Sequence, residues 1–151
     1  MKTKIKKIIL FFLLAFLLNL LWEVSHSPLY NWNSLPLQNS VYFYVPTILL
    51  NSLGDLMYIS IIFLIISAIN KKFSWISSPK KKHYLFLAIF SLILSILIEI
   101  KGIFILNKWS YSSFMPLVFG IGISPLLELA VTSCFSLWLC NYFIPAKQKH
   151  I

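Results

Sequence analysis

The chain has 151 residues, of which 59% are hydrophobic and 11% charged, and its formal net charge is +9. Soluble domains are about half apolar and a quarter charged, so this composition excludes an ordinary soluble module and leaves little room for a cofactor-binding one. The positive charge does not describe a nucleic-acid platform either. Apart from Lys101 and Lys108, the lysines lie in three clusters beside long apolar runs and do not interleave with aromatic residues on a polar surface.

The first apolar run, Ile5 to Trp22, has the basic start and apolar middle of a signal peptide. The only plausible cleavage point, near Ser25-His26-Ser27, is followed by Pro28 and lacks an Ala-x-Ala pattern, so a retained helix over about 5–23 is expected. The segment 24–45 has no lysine or arginine, contains Pro28 and Pro36, and carries Tyr30, Trp32, Tyr42, Phe43 and Tyr44. It reads as a loop lying along the membrane interface, its aromatic residues forming a belt.

Further spans are expected at about 46–69, 83–106 and 124–144. Trp109 and Tyr111 follow the third span and suit the same aromatic belt. Before the fourth, the stretch 114–122 reads as a re-entrant or interfacial segment. Ser124-Pro125 has the form of an N-cap with proline in the first helical position, and a single longer helix kinked at Pro125 is the alternative. The expected fold is therefore all-α, a polytopic bundle of four transmembrane helices forming one membrane domain. Lysines crowd the N-terminus, the 70–82 loop and the C-terminal tail, and the positive-inside rule then places both termini in the cytoplasm, in a cell membrane. Cys134 and Cys140, both in the last run, point about 120° apart on a helix and read as packing residues.

Glu23, Asp55, Glu99 and Glu128 are the four acidic residues, and each falls in or at the end of a different span. A carboxyl in hydrocarbon costs several kcal/mol, so its presence marks a function or a buried pairing. Counting depth at about 1.5 Å per residue puts all four in the outer half of the bilayer, where one polar pocket would accommodate them. Helical spacing adds companions: Asn19, Glu23 and His26 share one stripe, Asn51, Asp55 and Tyr58 another, Ser91, Ser95, Glu99 and Gly102 a third, and Ser124 lies one turn from Glu128. Stripes of small and polar residues also pack membrane helices together, so interhelical hydrogen bonding accounts for the same pattern. Lys101 falls on the opposite side of its helix from Glu99 and is expected to snorkel to the interface.

Several chemistries lack support. No nucleophile elbow and no phosphate-binding glycine loop is present. Glu23-x-x-His26 has the spacing of half a di-metal bundle site, but there is no second such pair, and His83 and His150 belong to the lysine-rich side, so no metal and no cofactor is expected. Acid–base work on an apolar substrate fits better. A carboxyl in a dry pocket can hold a proton at neutral pH, and a second carboxylate can stabilise a carbocation or accept a proton. Glu23, Asp55, Glu99 and Glu128 are the candidate catalytic residues, with Asn19, His26, Asn51, Tyr58, Trp109 and Tyr111 supporting them. Membrane lipid and an apolar small molecule are the expected partners, nucleic acid is not, and the polar stripes are compatible with an oligomer. A small proton-coupled transporter and a non-catalytic assembly protein are the alternatives.

The stretches Glu99-Ile-Lys-Gly102, Trp109-Ser-Tyr111, Met115-Pro116 and Pro125-Leu-Leu-Glu128 resemble a pattern in small uncharacterised prokaryotic four-span membrane proteins. They are also similar to membrane carotenoid enzymes. Bacterioruberin-type hydratases have a Glu-x-x-Gly followed by an aromatic-x-Tyr and a later proline. Small lycopene cyclases have Pro-Leu-Glu-Glu followed by a Phe pair, but here Leu127 stands for the first glutamate and Val131-Thr132 for the Phe pair, so only Glu128 carries over. The resemblance covers about a third of the chain and implies an isoprenoid or lipid enzyme.

Overall fold

The computed structural model describes residues 2–31 and 41–145. Trp32, Pro36, Lys147, Lys149 and His150 lie outside the described residues, as do the side chains of Tyr42 and Phe43.

Four helices account for most of the chain: α1 (Lys2–His26), α2 (Val41–Ile69), α3 (Lys81–Glu99) and α4 (Ile123–Phe143). The shortest, α3, has 19 residues and continues into a π-helical segment, Ile100–Ile105. Each helix is long and apolar enough to cross a membrane, and about 20 helical residues suffice for the ~30 Å hydrocarbon layer. The helices are apolar on both faces. Phe11, Ile62 and Leu137 point inward and are fully buried, while Ile9, Leu21, Leu50 and Leu85 point outward with more than half of their surface exposed. Helices apolar all round in so small a bundle need lipid rather than water around them. The chain is thus an integral, multi-pass membrane protein with an all-α four-helix bundle fold.

Successive helices run antiparallel. α1 packs on α2 and α4, α3 packs on the same two, and the diagonal contact between α2 and α4 is slight. This closed up-down arrangement brings the end of α1, the start of α2, the end of α3 and the start of α4 to one end of the bundle. Glu23, Glu99 and Glu128 belong to that end, and Asp55 stands at the middle of α2.

The opposite, lysine-rich end is closed by packing and hydrogen bonds. Phe11, Phe63 and Trp75 meet there, the last from a 3₁₀ turn at Phe73–Ser77, and the indole of Trp75 donates to Ser67 Oγ at 2.9 Å. Lys7 is only 1% exposed. Its ammonium donates to the Ser77 carbonyl at 3.0 Å and to Asn141 Oδ1 at 2.6 Å, tying α1 to the α2–α3 connection and to the end of α4.

Small polar side chains line the seams between helices. Thr132 donates to Asn19 Oδ1 at 3.0 Å, and the Ser91 and Ser133 hydroxyls meet at 3.4 Å. Both cysteines are free.

Two features precede the body of α4. Residues 114–122 contain a β-hairpin, β3 (Leu117–Val118) paired with β4 (Ile121–Gly122), numbered after two short strands described below. Its turn residues Phe119 and Gly120 both have positive φ, 52° and 80°, as a two-residue hairpin loop requires. Ser124 is not the N-cap. Gly122 holds that position and has no side chain to cap with, while the Ser124 hydroxyl accepts from the Trp22 indole of α1.

Candidate functional site

The acidic end of the bundle encloses a cavity of about 260 Å³. Glu23 and His26 reach it from the last turns of α1, Asn51, Asp55 and Tyr58 from α2, Glu99 from the last residue of α3, and Glu128 from the second turn of α4. Trp109 closes it from the loop after α3. The four acidic residues thus line one cavity. Asn19 does not: it lies one turn deeper on α1, held by Thr132 and by its own bond to the Ala15 carbonyl. Tyr111 contributes through its contact with Glu99.

Glu99 is surrounded by donors. Tyr111 Oη donates to Oε2 at 2.6 Å, the Trp109 indole to the same oxygen at 3.4 Å, and Tyr30 Oη to Oε1 at 3.3 Å. These three side chains come from loops far apart in sequence, which a short antiparallel pairing joins: β1 (Tyr30–Asn31) with β2 (Ser110–Tyr111), Tyr30 opposite Tyr111. Gly102 is part of the same arrangement. The Trp109 ring lies flat against its backbone, and a Cβ at this position would fall inside the indole. Burial, followed by the nearby Glu99 carboxyl, pushes the Tyr30 phenol well above its usual range. Burial and then the hydrogen bond to Glu99 push Tyr111 in the same direction. Both therefore stay protonated as donors to Glu99.

The other carboxyls gather around His26. Its Nε2 is 3.4 Å from Glu23 Oε2 and 3.7 Å from Glu128 Oε2. Its Nδ1 is 3.0 Å from Ser124 Oγ, which also accepts a bond from the Trp22 indole at 3.2 Å. Asn51 Nδ2 donates to Glu23 Oε2 at 3.4 Å. Three oxygens of cavity-lining residues remain without a partner although they are shut off from the surface: Asp55 Oδ2, Glu128 Oε1 and Ser95 Oγ. An unpaired buried polar atom costs about 1–3 kcal/mol, so native structures keep few of them without a use.

A second hollow, of about 450 Å³, lies on the outside of the bundle between α1 and α4. Its walls are chiefly apolar, including Leu18, Leu21, Trp22, Val131 and Phe135, and His26 borders it as well as the carboxyl cavity. His26 is thus a wall common to the outer apolar groove and the polar cavity.

Sequence reasoning misses Tyr30 and Trp22 as site residues, and it places Ser124 one turn from Glu128 without its contact to His26. Tyr30 was one aromatic among several in a loop, and nothing in its neighbourhood announces the pairing with Tyr111. Ser124 had an adequate local explanation as a cap. Packing of α4 on α1 brings Glu128 beside Glu23 and His26, so that one potential ligand atom from each lies within 4.8 Å of the others, a grouping that the spacing along α1 does not reveal.

Fold and site together define a class: integral membrane four-helix bundles with a carboxyl-lined cavity at one end. No family model, curated protein or solved structure matches the chain.

Proposed function

We propose that this protein is an intramembrane acid–base enzyme acting on a lipid or isoprenoid substrate. The observation that carries the reading is the convergence of Glu23, Asp55, Glu99 and Glu128 on one cavity, with Asp55 Oδ2 and Glu128 Oε1 left unpaired. Interhelical glue would predict carboxyls satisfied by neighbouring helices and no cavity between them. In this reading the unpaired oxygens give and accept substrate protons. Glu99, oriented by its three donors, presents negative charge to a developing carbocation. The apolar groove beside His26 accommodates the hydrocarbon part of the substrate, which enters sideways from the bilayer. A site at one end of the bundle suits a substrate delivered from one leaflet better than a transport coupling site, which usually lies near the midplane.

The lysine distribution supports a cell-membrane location with both termini cytoplasmic and the cavity in the outer half of the bilayer. Thiol-labelling of single cysteines placed near residue 78 and near residue 113, in a chain with Cys134 and Cys140 changed to serine, tests it. The residue 113 label should react in intact cells and the residue 78 label only after permeabilisation.

The enzyme reading is tested by comparing lipid and pigment extracts from a strain lacking the gene with strains complemented by the wild-type chain, Glu99→Gln or Glu128→Gln. Wild type should restore a lipid or pigment species that both variants fail to restore. Extracts that do not differ among the strains would sink the proposal.

A further inference from the structure

We infer that Glu23, His26 and Glu128 bind a single divalent transition-metal ion, with zinc as the type. The inference goes beyond the acid–base reading and does not require it.

Geometry is the first argument. One ligand atom from each residue can be chosen so that the three lie within 4.8 Å of one another. Two of the separations, 3.4 Å from His26 Nε2 to Glu23 Oε2 and 3.7 Å to Glu128 Oε2, are close to a tetrahedral edge. A tetrahedron with metal–ligand bonds of about 2.0–2.2 Å has edges of roughly 3.3–3.6 Å. Glu23 and His26 are three residues apart on α1, so one helical turn presents both donors in the same direction.

Charge is the second. The three residues are 8%, 5% and 4% exposed, in the order of the chain. Among the described residues, both ion pairs at this site involve His26, and no lysine comes within ion-pair distance of either carboxylate. A dication matches two carboxylates, whereas a single imidazolium would leave one charge unbalanced in a low-dielectric surrounding.

The third argument points to a ligand independently of the cluster. Glu128 Oε1 is buried and has no hydrogen-bond partner, and Glu128 lines the cavity. With Oε2 on a metal ion, a water in the open position would donate to Oε1 and supply the partner it lacks. His26 is also oriented in the manner of a ligating histidine. Its Nδ1 lies against Ser124 Oγ, which leaves Nε2 directed at the carboxylates. Three protein donors with a cavity on the remaining side describe an open site, in which water or substrate takes the fourth position.

The test uses the full chain in detergent, purified without a histidine tag, stripped with chelator, loaded with zinc chloride alone and desalted. Mass spectrometry of the metal should find about one zinc per chain. Cobalt in place of zinc should give the intense visible absorption of a tetrahedral site. His26→Ala and Glu128→Gln should lose the ion, and His83→Ala should keep it. Because those two variants alter a packed region, Ser124→Ala provides a gentler probe. It retains all three donors and should weaken zinc binding roughly 10- to 100-fold. Wild-type protein that holds no zinc overturns the inference, as does equal retention by wild type, His26→Ala and Glu128→Gln. So does loss in His83→Ala instead. No substrate is present in these measurements. A negative metal result therefore leaves the extract experiment untouched, and unchanged extracts leave the metal content untouched.

Discussion

The hydroxyl of Tyr111 donates to Glu99 Oε2 across 2.6 Å, joining a two-residue strand to the last α-helical residue of α3. Hydrogen bonds contribute about 0.5–1.5 kcal/mol between neutral groups and about 1.5–3 kcal/mol to charged ones, so Tyr111→Phe should lower the stability of the bundle by about 0.5–3 kcal/mol. Its thermal midpoint in detergent should fall by several degrees. The same substitution gives a pH test. Both Tyr111 and Tyr30 have phenols raised above the ordinary value of 10.0. A group whose folded pKa is raised contributes stability that is complete below the unfolded pKa and declines as pH rises through the folded one. The wild-type midpoint should therefore drop above about pH 10. The drop should be shallower in Tyr30→Phe and Tyr111→Phe, measured by tryptophan fluorescence between neutral and alkaline pH. Equal slopes in all three would remove the tyrosines from the account.

Gly102→Ala sets two effects against each other. Alanine is favoured over glycine in a helix by about 1 kcal/mol. The added Cβ, however, would overlap the Trp109 indole, and relieving such overpacking typically costs 1–3 kcal/mol. The overlap should win, giving a less stable protein with a shifted Trp109 emission and a weakened Glu99 contact. A stabilised variant would show that the indole has somewhere else to go.

Lys7 and Lys6 are neighbours with different fates. Lys6 is exposed, and its replacement by alanine should change stability by no more than about 0.5 kcal/mol. Lys7 is buried, and Lys7→Met leaves Ser77 O and Asn141 Oδ1 without their shared donor. An unsatisfied buried acceptor costs about 1–3 kcal/mol, so the variant should unfold at a distinctly lower temperature or denaturant concentration.

Asn19 and Thr132 test the glue component of the polar stripes. Their bond at 3.0 Å links α1 to α4 below the cavity. A double-mutant cycle with Asn19→Ala and Thr132→Val should give a coupling energy of about 0.6 kcal/mol, and below about 2 kcal/mol in any case, the range seen for hydrogen bonds between membrane helices. A larger value would mean that Asn19 also controls the cavity.

Much of this architecture is legible in the amino-acid order. Runs of about 20 apolar residues with few charges can satisfy their backbone only as helices, which sets the span number and the all-α class. The period of the helix then places Asn51 with Asp55, and Glu23 with His26, on shared faces before any packing is known. Local signals worked less well where a side chain had a second use. Ser124 has the form of a cap and instead meets Trp22 and His26, because α4 packs on α1 at that turn.

What lies beyond local pattern is every contact between elements. No periodicity relates Tyr30 to Tyr111, or His26 to Glu128; these pairs arise because a closed bundle brings the ends of α1 and α3 beside the start of α4. Hydrophobicity and helical spacing are short-range properties of the chain, and they account for four helices with polar stripes. The cavity, the donors around Glu99 and the cluster around His26 depend on the rotation and ring order of those helices. Those are set by the mutual fit of seams such as Asn19–Thr132 and Lys7–Asn141, which no single segment contains.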